Sequence, residues 1–311
     1  MYKNSLAILF LIVLSVCVFP GSSNGYQFGE WSAPVNLGPP INSKFVDSAA
    51  VLTEDGLNLF FTSTRPGGSG NEDLWVASRS SVNSPWGQPV NLGSSINAGG
   101  LDRLRSITPD GHILLFQSDR AGGVGGNDIW ASYRESTKDN FGWQPPVNMG
   151  SVINTNSEEV AANYLFESLG TSSKLFFSTA RPDMGLGNAD IYTSEITPAG
   201  TFGPPVNVRE LNSPYRDTCF WVRDDGLEII FSSSRAAMNN DLPALDMWVS
   251  TRASTLRTWS PPVRLPYPIN MEGFLDVNPS LSAGNTVMLF TSERPGGEGV
   301  QDIYMTTRKA R

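Results

Sequence analysis

Histidine and cysteine are almost missing from this sequence, and their scarcity excludes several kinds of site. His112 is the one histidine, and Cys17 and Cys219 are the two cysteines. A nucleophile–histidine catalytic pair would have to use His112, and a metal site built from several histidines is excluded. After removal of a leader only Cys219 would remain, which excludes an internal disulfide. Cys219 is expected to be a small buried apolar residue.

Positive charge is also scarce. The chain has 22 Lys and Arg residues against 30 Asp and Glu, for a net charge of −8. Nucleic acids and anionic membrane surfaces are bound through clusters of basic residues, so neither is an expected partner. Cations, neutral glycans and basic patches on other proteins are compatible with this charge.

A long apolar run occurs only near the amino terminus. Lys3 is followed by "LAILFLIVLSVCVF" and then by "GSSNG", which is typical of a secretory signal peptide, with cleavage predicted after Gly25. Cys17 raises lipid anchoring as an alternative, but Val16 is bulky for the position before a lipidated cysteine. No second run reaches the roughly 18 residues of a membrane-spanning helix. Residues 1–25 therefore predict a periplasmic or secreted protein with no membrane span after cleavage.

Two phrases each occur five times in the sequence. The first is a glycine-rich stretch that closes on an aspartate, as in "STRPGGSGNEDLW" and "SERPGGEGVQDIY". The closing aspartates, 55 to 62 residues apart, are Asp73, Asp128, Asp190, Asp246 and Asp302. The second phrase reads "WSAPVNLGPPIN" from Trp31 and returns from Trp86, Trp143, Phe202 and Trp259. Self-similarity at this period predicts an array of equivalent supersecondary units.

Each period contains four strand signals and no helical one. A short apolar stretch, an Asp-Gly turn such as "EDG" at 54–56 and a run such as "LNLFFTS" predict a β-hairpin. A third strand follows each closing aspartate, and the "PVN" segment makes a fourth. The sequence predicts an all-β fold, a five-bladed β-propeller with four-stranded blades, within one domain at 26–311. The expected blades span approximately residues 46–93, 101–150, 158–208, 216–265, and 275–308 together with 29–38.

The ends of the chain indicate how the array closes. The chain opens with a lone fourth strand at Trp31–Leu37 and ends after a third strand at Asp302–Arg308. We expect the amino-terminal strand to complete the last blade, because this pairing removes the exposed edges that an open array would leave.

The repeat also resembles a known family. The cadence of Asp-Gly turn, "SxRPGGxG" and "DIY" or "DIW" resembles the WD-repeat-like Pro-Asp-Gly repeat of bacterial envelope propellers, the class represented by the TolB propeller. The "WxxPVNLGxxIN" bridge resembles the subgroup often joined to OmpA-type outer-membrane proteins. The resemblance covers residues 29–308, with departures at "FESLG" in blade 3 and "AAMNNDLPAL" in blade 4. It implies the fold and an envelope compartment, and it implies no particular activity.

The glycine-rich phrase is interpreted as a structural hairpin loop. An arginine ends the second strand of each unit and the closing aspartate begins the third, so the two are expected to pair across the loop. These arginines are Arg65, Arg120, Arg181, Arg235 and Arg294. The glycines supply backbone angles that other residues resist. No phosphate-loop lysine follows them, so phosphate binding is not expected.

An acidic residue stands near the start of the innermost strand of every unit. The five are Asp47, Asp102, Glu159, Asp217 and Asp276. Because strands alternate in direction, these starts share a face with the glycine-rich loops, and the acids are expected to line a funnel mouth. Three interpretations stay open. Each acid caps its turn or pairs with an arginine, or the ring binds a cation or a neutral ligand, or the acids of blades 1 to 3 are catalytic.

The catalytic interpretation rests on a second resemblance. Asp, Asp and Glu on the first three blades resemble the catalytic order of five-bladed arabinanase and xylosidase-type glycosidases. The resemblance implies Asp47 as general base, Asp102 as the residue that orients and tunes, and Glu159 as general acid. Inverting chemistry needs acid and base about 6.5–9.5 Å apart. The acids recur on blades 4 and 5, which a catalytic triad does not require, so this stays the alternative.

Residues that break the repeat symmetry complete the predicted ligand-binding set. Blade 2 carries Arg103 and Arg105 on its inner strand, and blade 4 carries Trp221, which either stacks on a ligand or packs in the core. The sequence predicts a non-catalytic binding module for an envelope or extracellular protein or a glycan, with glycoside hydrolysis as the alternative. No cofactor and no metal site is predicted. The sequence leaves catalysis and the oligomeric state open.

Overall fold

A computed structural model describes residues 28–166, 173–182, 185–197, 199–236 and 245–310. The predicted signal peptide, the "FESLG" turn beyond Phe166 and most of the blade 4 loop lie outside the described residues. Within the described ranges all regular structure is β, which confirms the all-β prediction. No helix of the described part is long and apolar enough to cross a membrane.

The strands form five separate four-stranded antiparallel sheets, as predicted. Blade 1 contains β2 Asp47–Leu52, β3 Asn58–Ser63, β4 Asp73–Ser78 and β5 Val90–Asn91. Blade 2 contains β6 Asp102–Ile107, β7 Ile113–Ser118, β8 Asp128–Tyr133 and β9 Val147–Asn148. Blade 3 contains β10 Glu159–Leu165, β11 Lys174–Thr179, β12 Asp190–Glu195 and β13 Val206–Asn207. Blade 4 contains β14 Asp217–Val222, β15 Glu228–Ser233, β16 Asp246–Thr251 and β17 Val263–Arg264. Blade 5 contains β18 Asp276–Leu281, β19 Val287–Ser292, β20 Asp302–Thr307 and β1 Val35–Asn36.

Pairing between the two ends of the chain closes the ring. β1 runs antiparallel to β20, with Val35 opposite Met305 and Asn36 opposite Tyr304. The innermost strands contact one another in the closed order β2, β6, β10, β14, β18 and back to β2. The predicted completion of the last blade by the amino-terminal strand is confirmed.

The fourth strand of each blade is shorter than the sequence suggests, with only two residues in the ladder. A proline stands directly before each pair, and proline has no N–H to donate to a ladder. These prolines are Pro34, Pro89, Pro146, Pro205 and Pro262. The fourth strands are therefore short outer edges.

The hydrophobic core lies between neighbouring blades. In β3, Phe60 and Phe61 have no exposed surface and point to opposite faces of the sheet. Phe60 packs in a cluster that contains Leu104 of blade 2, and Phe61 packs in one that contains Leu289 of blade 5. Apolar runs with no polar face are typical of such doubly covered strands.

The tryptophans of the second phrase pack against arginines that directly follow the third strand. In four blades the guanidinium carbon lies 4.3–4.4 Å from the indole centroid, which is close enough for a cation–π interaction. The pairs are Arg79–Trp86, Arg134–Trp143, Arg252–Trp259 and Arg308–Trp31. Each arginine Nε also donates to a carbonyl of the hairpin turn between the first two strands. Through these arginines, the tryptophan before the outer strand is connected to the hairpin turn between the first two strands. This connection explains why the second phrase recurs.

The start of each inner strand is fixed by the blade before it. The backbone N–H of Asp47 donates to the carbonyl of Gln301 at 2.9 Å, and Asp102 N–H donates to Glu72 at 2.9 Å. All five inner strands then carry a β-bulge within their first four residues. Bulges re-aim side chains, and these bulges lie around the centre of the ring.

Candidate ligand cavity at the centre of the ring

The starts of the inner strands surround a cavity of about 270 Å³. Every blade contributes to its wall, including Ser48, Arg103, Val160 and Thr218. Residues that end the glycine-rich loops, such as Glu72, also line it. The prediction that strand starts and glycine-rich loops share one face is confirmed. We call this space the wide cavity.

Two ion pairs stand at the wide cavity. Arg103 Nε donates to Glu72 Oε2 at 2.6 Å, and its Nη2 lies 2.5 Å from Glu72 Oε1, so the pair is bidentate. Burial acts to lower the pKa of Arg103, but the hydrogen bond and the charge of Glu72 outweigh burial and raise it. Arg216 Nη2 lies 3.5 Å from Glu158 Oε2. Both side chains are more than a third exposed, at 35% and 39%. Arg216 and Glu158 are therefore only loosely held.

A narrow cavity of about 20 Å³ adjoins the wide one. Its walls come from the next residues of the same strands, and Cys219 and Asn278 line both spaces. Arg105 lies here, with its Nη1 3.6 Å from Cys219 Sγ and 3.4 Å from Asn278 Oδ1. The expectation that Cys219 is an ordinary buried apolar residue is wrong, because the cysteine is only partly buried and faces the cavities. Arg103 and Arg105, both predicted for the binding set, thus stand at the centre of the ring.

The five acids at the strand starts do not line an open mouth. Their side chains have no exposed surface: Asp47, Asp102, Glu159, Asp217 and Asp276. Asp47 accepts hydrogen bonds from Ser43 N at 2.6 Å, Ser63 Oγ at 2.6 Å and Arg65 Nη2 at 2.7 Å. The expected exposed ring is therefore corrected to a buried one. The physical reason is that each carboxylate caps the turn that enters its own strand.

Glu159 is held in the same way. It accepts from Thr155 N at 2.8 Å, Thr155 Oγ1 at 2.8 Å and Thr179 Oγ1 at 2.7 Å. Burial raises the pKa of Glu159, while these hydrogen bonds and the charge of Arg181 act in the opposite direction. Burial also raises the pKa of Asp217 and of Asp276. A raised pKa is thus shared between blades and does not single out Glu159 as a general acid.

In four blades the repeat arginine pairs with the acid at the strand start and not with the closing aspartate. Arg120 lies 2.6 Å from Asp102, and the equivalent pairs in blades 1, 4 and 5 are Arg65–Asp47, Arg235–Asp217 and Arg294–Asp276. Each guanidinium also stacks over two aromatic rings of its blade, such as Phe116 and Trp130 for Arg120. The predicted pairing across the loop is therefore wrong. The arginine folds back over its own blade, where the aromatic rings cover it.

The closing aspartates hold the glycine-rich loops through backbone N–H groups. Asp73 Oδ2 accepts from Ser69 N at 2.8 Å, and Asp302 Oδ2 accepts from Glu298 N at 2.6 Å. Asp128 and Asp190 accept from loop N–H groups in the same positions. Asp246 accepts two hydrogen bonds of 2.8 and 3.0 Å from Arg264. Arg264 stands where the other blades have the asparagine of "PVN".

The glycine-rich phrase needs its glycines for close packing. A Cβ on Gly68 would lie 1.5 Å from Asp73 Oδ2, and a Cβ on Gly70 would lie 2.2 Å from the carbonyl oxygen of Gly100. The first glycine thus leaves room for the closing carboxylate, and the second lets the loop touch the next blade. The glycine-rich phrase is a structural device in this fold.

Trp221 belongs to the core. It is 6% exposed and packs in the hydrophobic cluster that contains Ile230 and Met247. It lines neither cavity among the described residues. Of the two interpretations of Trp221, the structure supports core packing, and its place in the binding set is corrected.

The sequence interpretation missed Glu72, Glu158, Arg216 and Asn278. Three of them stand at the last residue of a loop, directly before one of the recurring acids of the repeat. Glu72 precedes a closing aspartate, and Glu158 and Arg216 precede acids at strand starts. Successive strand residues point to opposite faces, so the repeat acid turns into the blade while its neighbour turns toward the centre. The available signal was that these neighbours differ from blade to blade while the acids recur.

The described residues contain no group of three or more His, Cys, Asp or Glu side chains placed to hold a metal ion. The central site therefore consists of two arginine–glutamate pairs, a third arginine and amide and hydroxyl groups. Such a set can bind polar ligands through directional hydrogen bonds.

Solved structures similar to this chain share its propeller fold. An α-L-arabinofuranosidase from Podospora anserina in complex with cellotriose aligns with a TM-score of 0.56 at 12% identity, over 91% of this chain and 97% of that one. An α-L-arabinofuranosidase from Lactobacillus brevis aligns at 0.53 and 15%, over 87% and 92%. An N-acetylgalactosamine deacetylase from F. plautii, in complex with blood group B trisaccharide, aligns at 0.53 and 12%, over 91% and 94%. At these identities the likeness shows the fold alone.

No family model matches the chain, and no curated protein matches it. The five-bladed fold implied by the Pro-Asp-Gly repeat is confirmed, whereas membership of that repeat family stays a prediction.

Proposed function

We propose that the chain is a saccharide-binding β-propeller whose binding site is the wide cavity. The observation that carries the proposal is the convergence of charged, amide and hydroxyl side chains from four blades on one concave space, to which blade 3 adds Val160. Its volume of about 270 Å³ is close to the lower end of small-ligand sites, about 300 Å³. Paired arginine and glutamate side chains can donate to and accept from neighbouring sugar hydroxyls.

Two further observations support a saccharide. Similar solved structures hold cellotriose and a trisaccharide, which shows that this fold can carry such sites. The net charge of −8 also disfavours a polyanion. It favours a neutral ligand, or one whose charge is complementary to the side chains of the cavity. We propose a periplasmic or secreted location on the strength of the predicted leader. An envelope protein is the competing partner.

A glycan array probed with the leader-processed chain tests this proposal. We expect binding of at least one saccharide class, with the affinity lowered about tenfold or more by Glu72→Gln or Arg216→Gln, because each removes charge-assisted hydrogen bonds. Glu135→Gln and Arg257→Gln are the matched controls, since both residues are exposed and line neither cavity. The proposal fails if no saccharide binds, or if the control variants weaken binding as much as the cavity variants do.

Glycoside hydrolysis is the second candidate, and the similar solved structures favour it. Asp47, Asp102 and Glu159 would have to leave buried hydrogen-bonded positions to reach a substrate. Two other carboxylates are better placed. Glu72 lines the wide cavity and is bound by Arg103 through two hydrogen bonds, while Glu158 is partly exposed beside Arg216, which lines the same cavity. We therefore assign the base role to Glu72 and the acid role to Glu158 if the chain cleaves glycosidic bonds.

A hydrolysis screen with arabinofuranosides and xylo-oligosaccharides distinguishes the two candidates. Cleavage that is lost in Glu72→Gln and Glu158→Gln even at saturating substrate would establish the enzyme. Cleavage lost instead in Glu159→Gln, with unchanged thermal stability, would return the catalytic role to the buried acids. If no substrate is cleaved although saccharides bind, the chain is a binding module.

A further inference from the structure

Arg105 is a buried guanidinium without a carboxylate partner. Its residue is 9% exposed, its Nε has no hydrogen-bond acceptor, and its Nη2 donates to the neutral amide oxygen of Gln117. Its Nη1 has only the two long contacts with Cys219 and Asn278. None of the ion pairs found among the described residues includes Arg105.

Several arginines of this chain with little exposed surface are neutralised by carboxylates, although the buried Arg134 bonds only carbonyl and amide oxygens. Arg120 lies 2.6 Å from Asp102, and Arg308 binds Glu228 through hydrogen bonds of 2.6 and 2.7 Å. An unpaired charge in a protein interior is costly, because protein dipoles replace water only partly. Burial accordingly lowers the pKa of Arg105 to about 10, which still leaves it charged at neutral pH. Arg105 therefore carries a positive charge that the chain itself does not balance.

The charged groups around Arg105 do not correct this imbalance. Arg103 and Arg216 are matched by Glu72 and Glu158, so the two pairs sum to zero. Arg105 adds one positive charge at the centre of a chain whose overall charge is −8. Because Cys219 and Asn278 line the wide cavity and touch Arg105, this charge lies directly behind the cavity wall.

We propose that the wide cavity binds its saccharide through a carboxylate, and that the charge of Arg105 selects acidic sugars over neutral ones. The inference rests on the proposed saccharide site and names its substrate class. One negative charge is enough to balance Arg105, which favours a uronic-acid-type carboxylate over a more highly charged phosphate. Because Arg105 is buried, solvent screens its charge only weakly, so the attraction is strong. Arg105 acts here as a positioning residue.

The test compares saccharides that differ only in charge. An array of uronate-containing saccharides, each printed beside its methyl ester and its neutral parent sugar, is probed with the leader-processed chain. We expect the free acids to bind about tenfold or more tightly than the esters, as for loss of a charged hydrogen-bond partner. This comparison uses the unmodified chain, so it does not depend on whether a variant folds.

Two variants assign the effect to Arg105. Arg105→Met should abolish the preference for the free acid without lowering the melting temperature, because it removes an uncompensated buried charge. Arg257→Gln removes one exposed positive charge from the opposite face and should keep the preference. Equal binding of acid and ester would overturn the inference and leave the proposed function standing. A preference that survives in Arg105→Met would also overturn it, and an array on which no saccharide binds would refute both proposals.

Discussion

Arg308 and Glu228 lie on different blades, 80 residues apart, and form a buried bidentate ion pair with N–O distances of 2.6 and 2.7 Å. Glu228 also accepts from Arg223 at 3.1 Å, and Phe28 lies over the Arg308 guanidinium at 3.9 Å. One carboxylate thus joins blade 4, blade 5 and the amino-terminal segment. The last blade is therefore held by this ion pair to blade 4 as well as by the β1–β20 ladder to the amino-terminal strand.

The first prediction concerns this junction. Glu228→Gln should lower the free energy of unfolding by about 3–5 kcal/mol, because it leaves the buried Arg308 guanidinium without its counter-charge, whereas Arg223 keeps Asp225 at 2.7 Å. Urea denaturation followed by tryptophan fluorescence measures the change. Glu158→Gln is the matched control, since it removes a partly exposed carboxylate from a 3.5 Å pair, and should cost no more than about 1 kcal/mol. Equal effects of the two variants would contradict the structural role of Glu228.

The second prediction concerns the buried acids. Asp47→Asn and Asp217→Asn should each destabilise the fold by about 2–4 kcal/mol, because each buried acid accepts several hydrogen bonds, one of them from a partly buried arginine. The two positions are equivalent in blades 1 and 4. Denaturation curves of both variants check the expectation. A catalytic role for Asp47 would instead predict that Asp47→Asn loses activity while neither Asp47→Asn nor Asp217→Asn loses stability to the same degree.

The third prediction concerns adjacent glycines in the blade 2 loop. A Cβ on Gly125 would lie 2.1 Å from the Thr155 carbonyl oxygen, whereas a Cβ on Gly126 would meet no atom within 4 Å. Gly125→Ala should therefore lower the melting temperature. Gly126→Ala should leave it unchanged or raise stability by up to about 1 kcal/mol through the unfolded state. Calorimetry of the two variants decides, and the reverse order would show that the loop does not pack against blade 3 as described.

The fourth prediction concerns pH. Burial raises the pKa of Glu159 above its ordinary 4.5, so the folded chain binds this proton more tightly than the unfolded chain does. The stability contributed by Glu159 is therefore fully present below pH 4.5 and is lost as pH rises through the raised pKa. Glu159→Gln should flatten the decline in unfolding free energy across that window. The exposed Glu135→Gln is the control, and an unchanged slope in Glu159→Gln would refute the assignment.

The fold could be predicted because its signals are local and repeated. Strand alternation, Asp-Gly turns and the spacing of the repeats are properties of neighbouring residues, and five copies reinforce each one. The choice of partners was not local. Arg65 has a carboxylate at Asp73, eight residues ahead in the chain, yet it pairs with Asp47 across the sheet. The rings of Phe61 and Trp75, over which Arg65 packs when it pairs with Asp47, come together only once the blade is folded.

The sequence by itself determined the number of blades, their four strands and the closure by the amino-terminal segment, because turn chemistry, hydrophobic pattern and repeat period depend on residues near one another. Only the tertiary structure decided which charged groups are buried and which face the centre. The repeat acids and their neighbours are adjacent in the chain, but the pleat sends them to opposite faces. Five separate strand starts then meet around one axis, and that meeting leaves Arg105 without a carboxylate of its own.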